Sequence, residues 1–138
     1  MHWAAAALAT AAVAVAMAAA SGGAEADLTV PHGPLSSFDW VALPEFGGEE
    51  TIIYRSPDGR RVAAAFRESG SYTFTYPFDE FLVVTAGTGR FKVHGGPSFE
   101  LKAGEVAYFR EGMTVDLELS KDFADITMLV SGREVKWR

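Results

Sequence analysis

Short segments of β-type sequence, separated by turn residues, recur along most of the chain and restrict its fold more than any other feature. Beyond residue 50, glycine, proline and polar residues interrupt the chain roughly every 8–12 positions. The predicted strands are Thr51–Tyr54, Arg61–Arg67, Tyr72–Tyr76, Glu80–Thr85, Gly89–His94, Ser98–Leu101, Val106–Phe109, Thr114–Leu119 and Ala124–Val130. Because no sustained helical spacing of apolar residues occurs beyond residue 26, this pattern predicts an all-β sandwich or barrel.

Residues 1–26 differ in composition from the rest, since they are rich in alanine and contain neither Lys nor Arg. An apolar run over residues 4–20, followed by small residues at Ala24 and Ala26, is the layout of a cleaved signal peptide. A signal peptide usually begins with positively charged residues, and their absence here favours the alternative of a disordered tail, with Met17 or a later codon as the true start of the protein. A membrane anchor is disfavoured because alanine contributes little to bilayer transfer. We therefore expect export to the periplasm if the segment is a signal peptide, and a cytoplasmic location otherwise.

The chain has the length of one domain, because 138 residues divided in two would leave neither half a sizeable core. Residues 27–50 contain several prolines and glycines and are predicted to form an extended arm. Phe38 and Trp40 in this arm are able to pack on the rest of the chain. Residues 51–138 are predicted to form the barrel.

Composition excludes several classes of function. The formal charge of −6 at pH 7 argues against nucleic acid and against an anionic membrane surface as partners. The absence of cysteine excludes a disulfide framework, a thiol nucleophile and a cysteine-based zinc site. The sequence also contains no phosphate-binding glycine loop and no nucleophile elbow. The expected partner is a small-molecule ligand.

Alternation along two predicted strands indicates which side chains share a face. In residues 72–76, Tyr72, Phe74 and Tyr76 form an aromatic ladder on one face, while the two threonines occupy the other. In residues 89–94, His94 falls on the charged face, which is the outward one.

Two blocks of the sequence are similar to the conserved motifs of the cupin superfamily. Gly70 opens the first block. Glu80 and Gly87, with six residues between them, take the acid and closing glycine positions of the first motif, G-x5-H-x-H-x3,4-E-x6-G, and Gly104 and Gly112 match the glycines of the second. The resemblance spans residues 51–131. It implies a single double-stranded β-helix, the cupin-like jelly-roll barrel, preceded here by the arm.

The sequence departs from the family at the metal ligands. Phe74 and Tyr76 stand where the first motif has its histidines, and Val115 stands where the second motif has its histidine. The chain has three histidines in all, and His2 and His32 precede the predicted barrel. The expectation is therefore no cofactor, although a weakly bound divalent metal is left open. In having an aromatic pair, Phe74 and Tyr76, at these positions, the sequence is similar to a cupin subgroup related to ureidoglycine aminohydrolase and the ethanolamine-utilisation cupins.

The resemblance and the alternation together predict a ligand pocket lined by Phe74, Tyr76, Glu80 and Tyr108. Glu80 is the candidate catalytic residue, because burial raises the pKa of a carboxyl and suits it to acid–base work or to anchoring an amine. The alternative for Glu80 is a structural acceptor, bonded to the Tyr76 hydroxyl or to nearby backbone amides. The aromatic ladder has the alternative of being plain barrel core.

Other polar residues are interpreted as lying on the protein surface or away from the predicted pocket. Asp79 is adjacent to Glu80 and points to the opposite face, so the two do not form a catalytic dyad. Arg67 and Arg110 are candidates for holding a substrate carboxylate, with exposed ion pairs as the alternative. His94 is expected to face water.

Three functions remain open at this point. The first is a small-molecule binding or modifying cupin without the family's metal. The second is an enzyme of the ureidoglycine aminohydrolase type, acting on a small nitrogenous metabolite. The third is a non-catalytic oligomerising barrel. A homodimer is expected because edge strands need covering.

Overall fold

The computed structural model describes residues 27–137. The two interpretations of residues 1–26, signal peptide or tail, lie outside the described residues. Residues 27–30 belong to a separate unit from the rest of the described chain and are exposed, without regular secondary structure. No helix within residues 27–137 is long and apolar enough to cross a membrane.

The remaining residues form ten strands and two single-turn 3₁₀ helices. The 3₁₀ helices are Leu35–Ser37 and Pro44–Phe46. The strands are β1 (Trp40–Leu43), β2 (Gly48–Arg55), β3 (Arg61–Arg67), β4 (Gly70–Thr75), β5 (Asp79–Ala86), β6 (Thr88–Val93), β7 (Ser98–Lys102), β8 (Val106–Phe109), β9 (Thr114–Leu119) and β10 (Ala124–Val130).

Two antiparallel sheets make up the barrel. One has six strands in the order β1-β2-β3-β10-β5-β8, and the other has four in the order β4-β9-β6-β7. Neighbours such as β3 and β10 are far apart in sequence, as a jelly roll requires. The all-β jelly-roll prediction is confirmed, and each of the nine predicted strands is present with small shifts at its ends.

The segment predicted as an arm contributes a strand that the sequence did not indicate. β1 pairs with β2, with Trp40 opposite Thr51, so residues 40–43 and 48–50 lie in the six-stranded sheet and the 3₁₀ helix Pro44–Phe46 connects them. Close packing explains a glycine at the start of β2, because a Cβ on Gly48 would lie 1.6 Å from the backbone oxygen of Arg67. The segment predicted as an extended arm, residues 27–50, thus contains the 3₁₀ helices Leu35–Ser37 and Pro44–Phe46, the strand β1 and the start of β2.

The core lies between the inner faces of the two sheets. Its largest fully buried side chains include Phe91, Phe109, Leu43 and Leu129. The ring of Phe109 packs against Tyr76, with 4.8 Å between centroids and 13° between planes. Such buried rings contribute most of the apolar area removed from water.

The outer faces of the sheets differ in character. The four-stranded sheet is charged outside, where Arg90 lies 3.8 Å from Glu100. The outer face of the six-stranded sheet carries an apolar row that crosses five strands in register: Tyr54, Ala63, Met128, Phe81 and Tyr108. The large side chains in this apolar row are 39–56% exposed.

Candidate functional site

A small cavity lies inside the barrel, between the two sheets. Its volume is about 40 Å³, and most of its wall is aromatic or aliphatic. Three carboxyl groups also reach it, from Glu68, Glu80 and Asp125. The cavity therefore combines an apolar wall with an acidic one.

Glu80 reaches the cavity because it occupies an inward position of β5, between the outward Asp79 and Phe81. Burial raises its pKa to about 7, against the opposing effect of a hydrogen bond from Thr127. Oγ1 of Thr127 lies 2.8 Å from Oε2 of Glu80 and 2.9 Å from the carbonyl oxygen of Phe81. A hydroxyl has one proton, so both contacts are satisfied when a protonated Glu80 donates to Thr127 and Thr127 donates to Phe81.

Asp125 occupies the corresponding inward face of β10. Its side chain is 7% exposed, and its Oδ1 is buried without a hydrogen-bond partner within the described chain. Burial raises the pKa of Asp125 well above its ordinary value, and the nearby Glu80 and Glu68 raise it further.

Glu68 enters the cavity from the connection between β3 and β4. The hydroxyl of Tyr72 donates a hydrogen bond to its Oε2. Burial raises the pKa of Glu68 to about 7, and this hydrogen bond opposes the rise. Glu68 and Glu80 therefore both have pKa values near neutral pH, and the pKa of Asp125 is raised by burial as well.

Aromatic side chains form much of the rest of the cavity wall. Phe74 and Tyr76 meet edge to face, with 4.9 Å between ring centroids. Trp137 also lines the cavity; its ring centroid lies 5.7 Å from that of Phe46, and its Nε1 donates to Oε2 of Glu50 at 2.6 Å. The aromatic ladder is therefore both core and cavity wall, so the two alternatives for it are not exclusive.

The structure does not bring Tyr108 into this group, which corrects the predicted pocket. Tyr108 is 56% exposed on the outer face of β8, and its hydroxyl donates to Oδ2 of Asp79 at 2.6 Å. Pairing with β5 sets this orientation, because Tyr108 lies opposite the outward Phe81 and Phe109 lies opposite the inward Glu80. Phe74, Tyr76 and Glu80 do lie together at the cavity.

The other polar candidates lie on the surface. Nη1 of Arg67 contacts Oε1 of Glu49 at 2.6 Å, and Arg110 is exposed. His94 is half-exposed, with its Nε2 2.9 Å from Oδ1 of Asp116. None of these reaches the cavity, and the prediction that His94 faces outward is confirmed.

Sequence reasoning missed two of the three cavity carboxyls. Asp125 lies between Ala124 and Ile126 in β10, at a position that the strand buries. An acid at a buried strand position indicates a functional or specially bonded group, but the sequence alone does not show which face of β10 is buried. Glu68 lies beside Ser69 and Gly70 in a turn-like sequence, which gives no indication of burial.

The residues present do not fit the metal site of the cupin fold. Phe74 and Val115 offer no ligand atom at positions where the family has histidines. Across residues 27–137, no group of three or more His, Cys, Asp or Glu side chains is placed to hold a metal ion. The expectation that the chain binds no cofactor stays a prediction.

Comparison with known proteins gives a family match. A model described as the EutQ-like cupin domain matches residues 55–124. A search of curated proteins finds no match.

Several solved structures share the fold. KdgF from Halomonas sp. is 16% identical with a TM-score of 0.58, over 72% of this chain and 92% of its own. An RmlC-like cupin from Shewanella frigidimarina NCIMB 400 is 12% identical with a TM-score of 0.60, over 74% and 91%. A structure described as ethanolamine utilization protein Q from Salmonella typhimurium LT2 is 18% identical with a TM-score of 0.54, over 68% and 94%. At these identities the likeness concerns the fold.

Proposed function

The chain belongs to the EutQ-like cupin family, and from this premise we propose that it binds a small molecule inside the barrel, beside Phe74, Tyr76 and Glu80. The observation that carries the proposal is a buried carboxyl facing a cavity. Glu80 points inward, its pKa is raised by burial, and open space lies next to it. A barrel that served only as a scaffold would be more stable with an apolar residue there.

The proposed ligand binds without the family's metal. At the histidine positions Phe74 and Val115 offer no ligand atom, and the neutral phenol of Tyr76 is a rare metal ligand. The polar contacts to the proposed ligand therefore come from the carboxyl groups. A weakly held divalent ion is the alternative, with Glu80 as its principal protein ligand. Metal analysis of the purified protein tests this, because near-stoichiometric metal would overturn the metal-free proposal.

A thermal-shift screen tests small-molecule binding directly. The wild type is compared with Glu80→Gln across a library of small amines, ureides and carboxylic acids. The control is Glu118→Gln, since the Glu118 side chain is 65% exposed on the outer face of β9. We expect shifts in the wild type and the control that Glu80→Gln weakens. No shift in any of the three proteins would contradict the proposal.

A second candidate function is an enzyme of the ureidoglycine aminohydrolase type. It is favoured by the position of the Glu80 pKa, because a group that titrates near pH 7 both accepts and donates protons readily. In this case Glu80 is the general base toward a small nitrogenous substrate. Release of ammonia from ureides by the wild type, and not by Glu80→Gln, would favour the enzyme over a binding protein.

We also propose that the chain forms a homodimer through the apolar row. Beside this row, Val130 of β10 lies between Arg61 of β3 and Asp79 of β5. In the proposed dimer the outer faces of two six-stranded sheets pack against each other, and the two-fold axis runs parallel to β10 between them. This symmetry would place Arg61 opposite Asp79 of the partner subunit. The apolar row would then be covered, and opposite charges would meet at its edge. The homodimer suits the third candidate function, an oligomerising barrel, equally well.

A further inference from the structure

Three carboxyl groups share one small cavity, and no described residue that lines it is a Lys, Arg or His. Glu68 precedes β4, Glu80 lies in β5 and Asp125 lies in β10, so three separate parts of the chain bring acids to one place. Gathering carboxyl groups away from water is costly, whether they stay charged and repel or are held protonated. A solid core gains nothing from this arrangement, whereas a site for a cation requires it.

Asp125 indicates most directly where a partner is missing. Glu80 and Glu68 each have a hydroxyl neighbour, from Thr127 and Tyr72. Oδ1 of Asp125 has none within the described chain, although the side chain is only 7% exposed and lines the cavity. Buried polar atoms in folded proteins nearly always have a hydrogen-bond partner. Oδ1 of Asp125 is therefore the acceptor available to a ligand.

The remaining features of the cavity select an organic cation over a metal ion. No group of three acids or histidines in residues 27–137 is placed to ligate one metal ion. An ammonium group has different needs, because its N–H groups reach separate acceptors at about 2.8 Å. Its carbon atoms can rest on ring faces, which attract cations. Tyr72, Phe74 and Tyr76 supply such rings around the acidic wall.

We propose, as an extension of the proposed function, that the cavity binds the ammonium group of a small primary amine, with Oδ1 of Asp125 as its principal acceptor. Glu68 and Glu80 flank this acceptor and complete the acidic wall. The ligand is small, because the cavity volume is about 40 Å³ and one water needs about 10–15 Å³ on the same measure. An ammonium group with one or two carbons fits this space.

Amine binding is expected to release protons. The titratable groups near Asp125 are Glu68, Tyr72, Tyr76 and Glu80, with Glu50 behind Glu68. Burial raises the pKa of each of the three cavity acids, so part of this group is protonated at neutral pH. The tyrosines stay protonated, because burial raises their pKa values as well. A bound ammonium favours the carboxylate form, and the affinity therefore rises with pH until the amine itself loses its proton.

The experiment is an NMR titration of the ¹⁵N-labelled full chain with methylamine and ethylamine. Methanol and ethanol serve as neutral matches, acetate as an anion, and MgCl₂ as a metal probe. We expect saturable shifts of the cavity amides with the amines alone. Asp125→Asn is expected to weaken amine binding at least tenfold, while Asp39→Asn, an exposed aspartate outside the cavity, leaves it unchanged. Glu68→Gln supplies a second cavity variant if Asp125→Asn does not fold.

The outcomes separate the two proposals. Saturable binding of ethanol or acetate at the cavity, with none of the amines, would overturn the amine inference and leave the small-molecule proposal standing. Amine binding of equal strength in Asp125→Asn and Glu68→Gln would overturn the acidic wall as the site. A library screen and a titration that both show no binding would overturn both proposals. Proton release on amine binding, measured by calorimetry in buffers of different ionisation heat, would support the inference.

Discussion

Tyr76 stacks on Phe109 inside the barrel, with 4.8 Å between the ring centroids and 13° between the ring planes. Tyr76 occupies a position where the cupin motif has a metal-binding histidine, and it is 3% exposed. A residue that would hold a metal in other cupins has here become part of the hydrophobic core. The charged or acidic groups that line the interior cavity are instead the carboxyl groups of Glu68, Glu80 and Asp125.

This packing predicts a large difference between two tyrosines. Tyr76→Ala leaves a void beside Phe109 and is expected to lower the free energy of unfolding by about 3–5 kcal/mol. Tyr108→Ala, at a site that is 56% exposed, is expected to cost less than about 1 kcal/mol. Denaturant unfolding at one pH, at a protein concentration at which the chain is monomeric, measures both. Similar costs for the two variants would contradict the placement of Tyr108 outside the barrel.

The sequence predicts most of the fold because alternation and turn residues act locally. β1 was missed because its four residues lie between proline- and glycine-containing segments, and only pairing with β2 makes them a strand. Tyr108 was placed wrongly because β8 reads Val-Ala-Tyr-Phe, without the alternation that marks an inward face. The inward position of Asp125 likewise depends on pairing with β3 and β5. Which face of a strand a side chain occupies is set by tertiary contacts, and two of the three acids of the acidic wall, Glu68 and Asp125, could not be found from local sequence.

The acidic wall predicts that stability falls as pH rises. Glu68 and Glu80 have pKa values raised from 4.5 to about 7, so the folded state holds more protons than the unfolded state between these values. The stability they give is full below about pH 4.5 and is lost as pH rises through 7. The surface acids Asp58, Asp79 and Asp116 have lowered pKa values and act in the opposite sense, below their ordinary 3.8.

Asp125→Asn tests this cause. The amide carries no charge, so we expect the loss of unfolding free energy between pH 5 and pH 8 to be smaller than in the wild type. Urea unfolding without amine, at several pH values, gives the comparison, and Asp39→Asn is the control. A wild type that becomes more stable from pH 5 to pH 8 would show that the carboxyls are not buried together.

Thr127 is expected to matter through its hydroxyl. Thr127→Val keeps the shape and removes the group that contacts Oε2 of Glu80 and the carbonyl oxygen of Phe81. The carboxyl group of Glu80 and the carbonyl oxygen of Phe81 both lose their hydrogen-bond partner, which is expected to cost about 1–3 kcal/mol. Thr127→Ser restores the hydroxyl and should recover most of the loss in urea unfolding. If valine and serine behave alike, the hydroxyl does not contribute to holding Glu80.

The apolar row predicts a dimer that a single charge disrupts. Phe81 lies in its middle, between Met128 and Tyr108, and is 41% exposed. Phe81→Lys places a charge at the proposed contact while leaving the inward face of β5 unchanged, so the chain is expected to fold and to become monomeric. Light scattering after size-exclusion chromatography measures the mass of the wild type and the variant over a range of concentrations. Lys92→Glu, on the charged outer face of the four-stranded sheet, should leave the mass unchanged. A wild type that is monomeric at every concentration would contradict the dimer. The large side chains of the apolar row would then remain 39–56% exposed in solution.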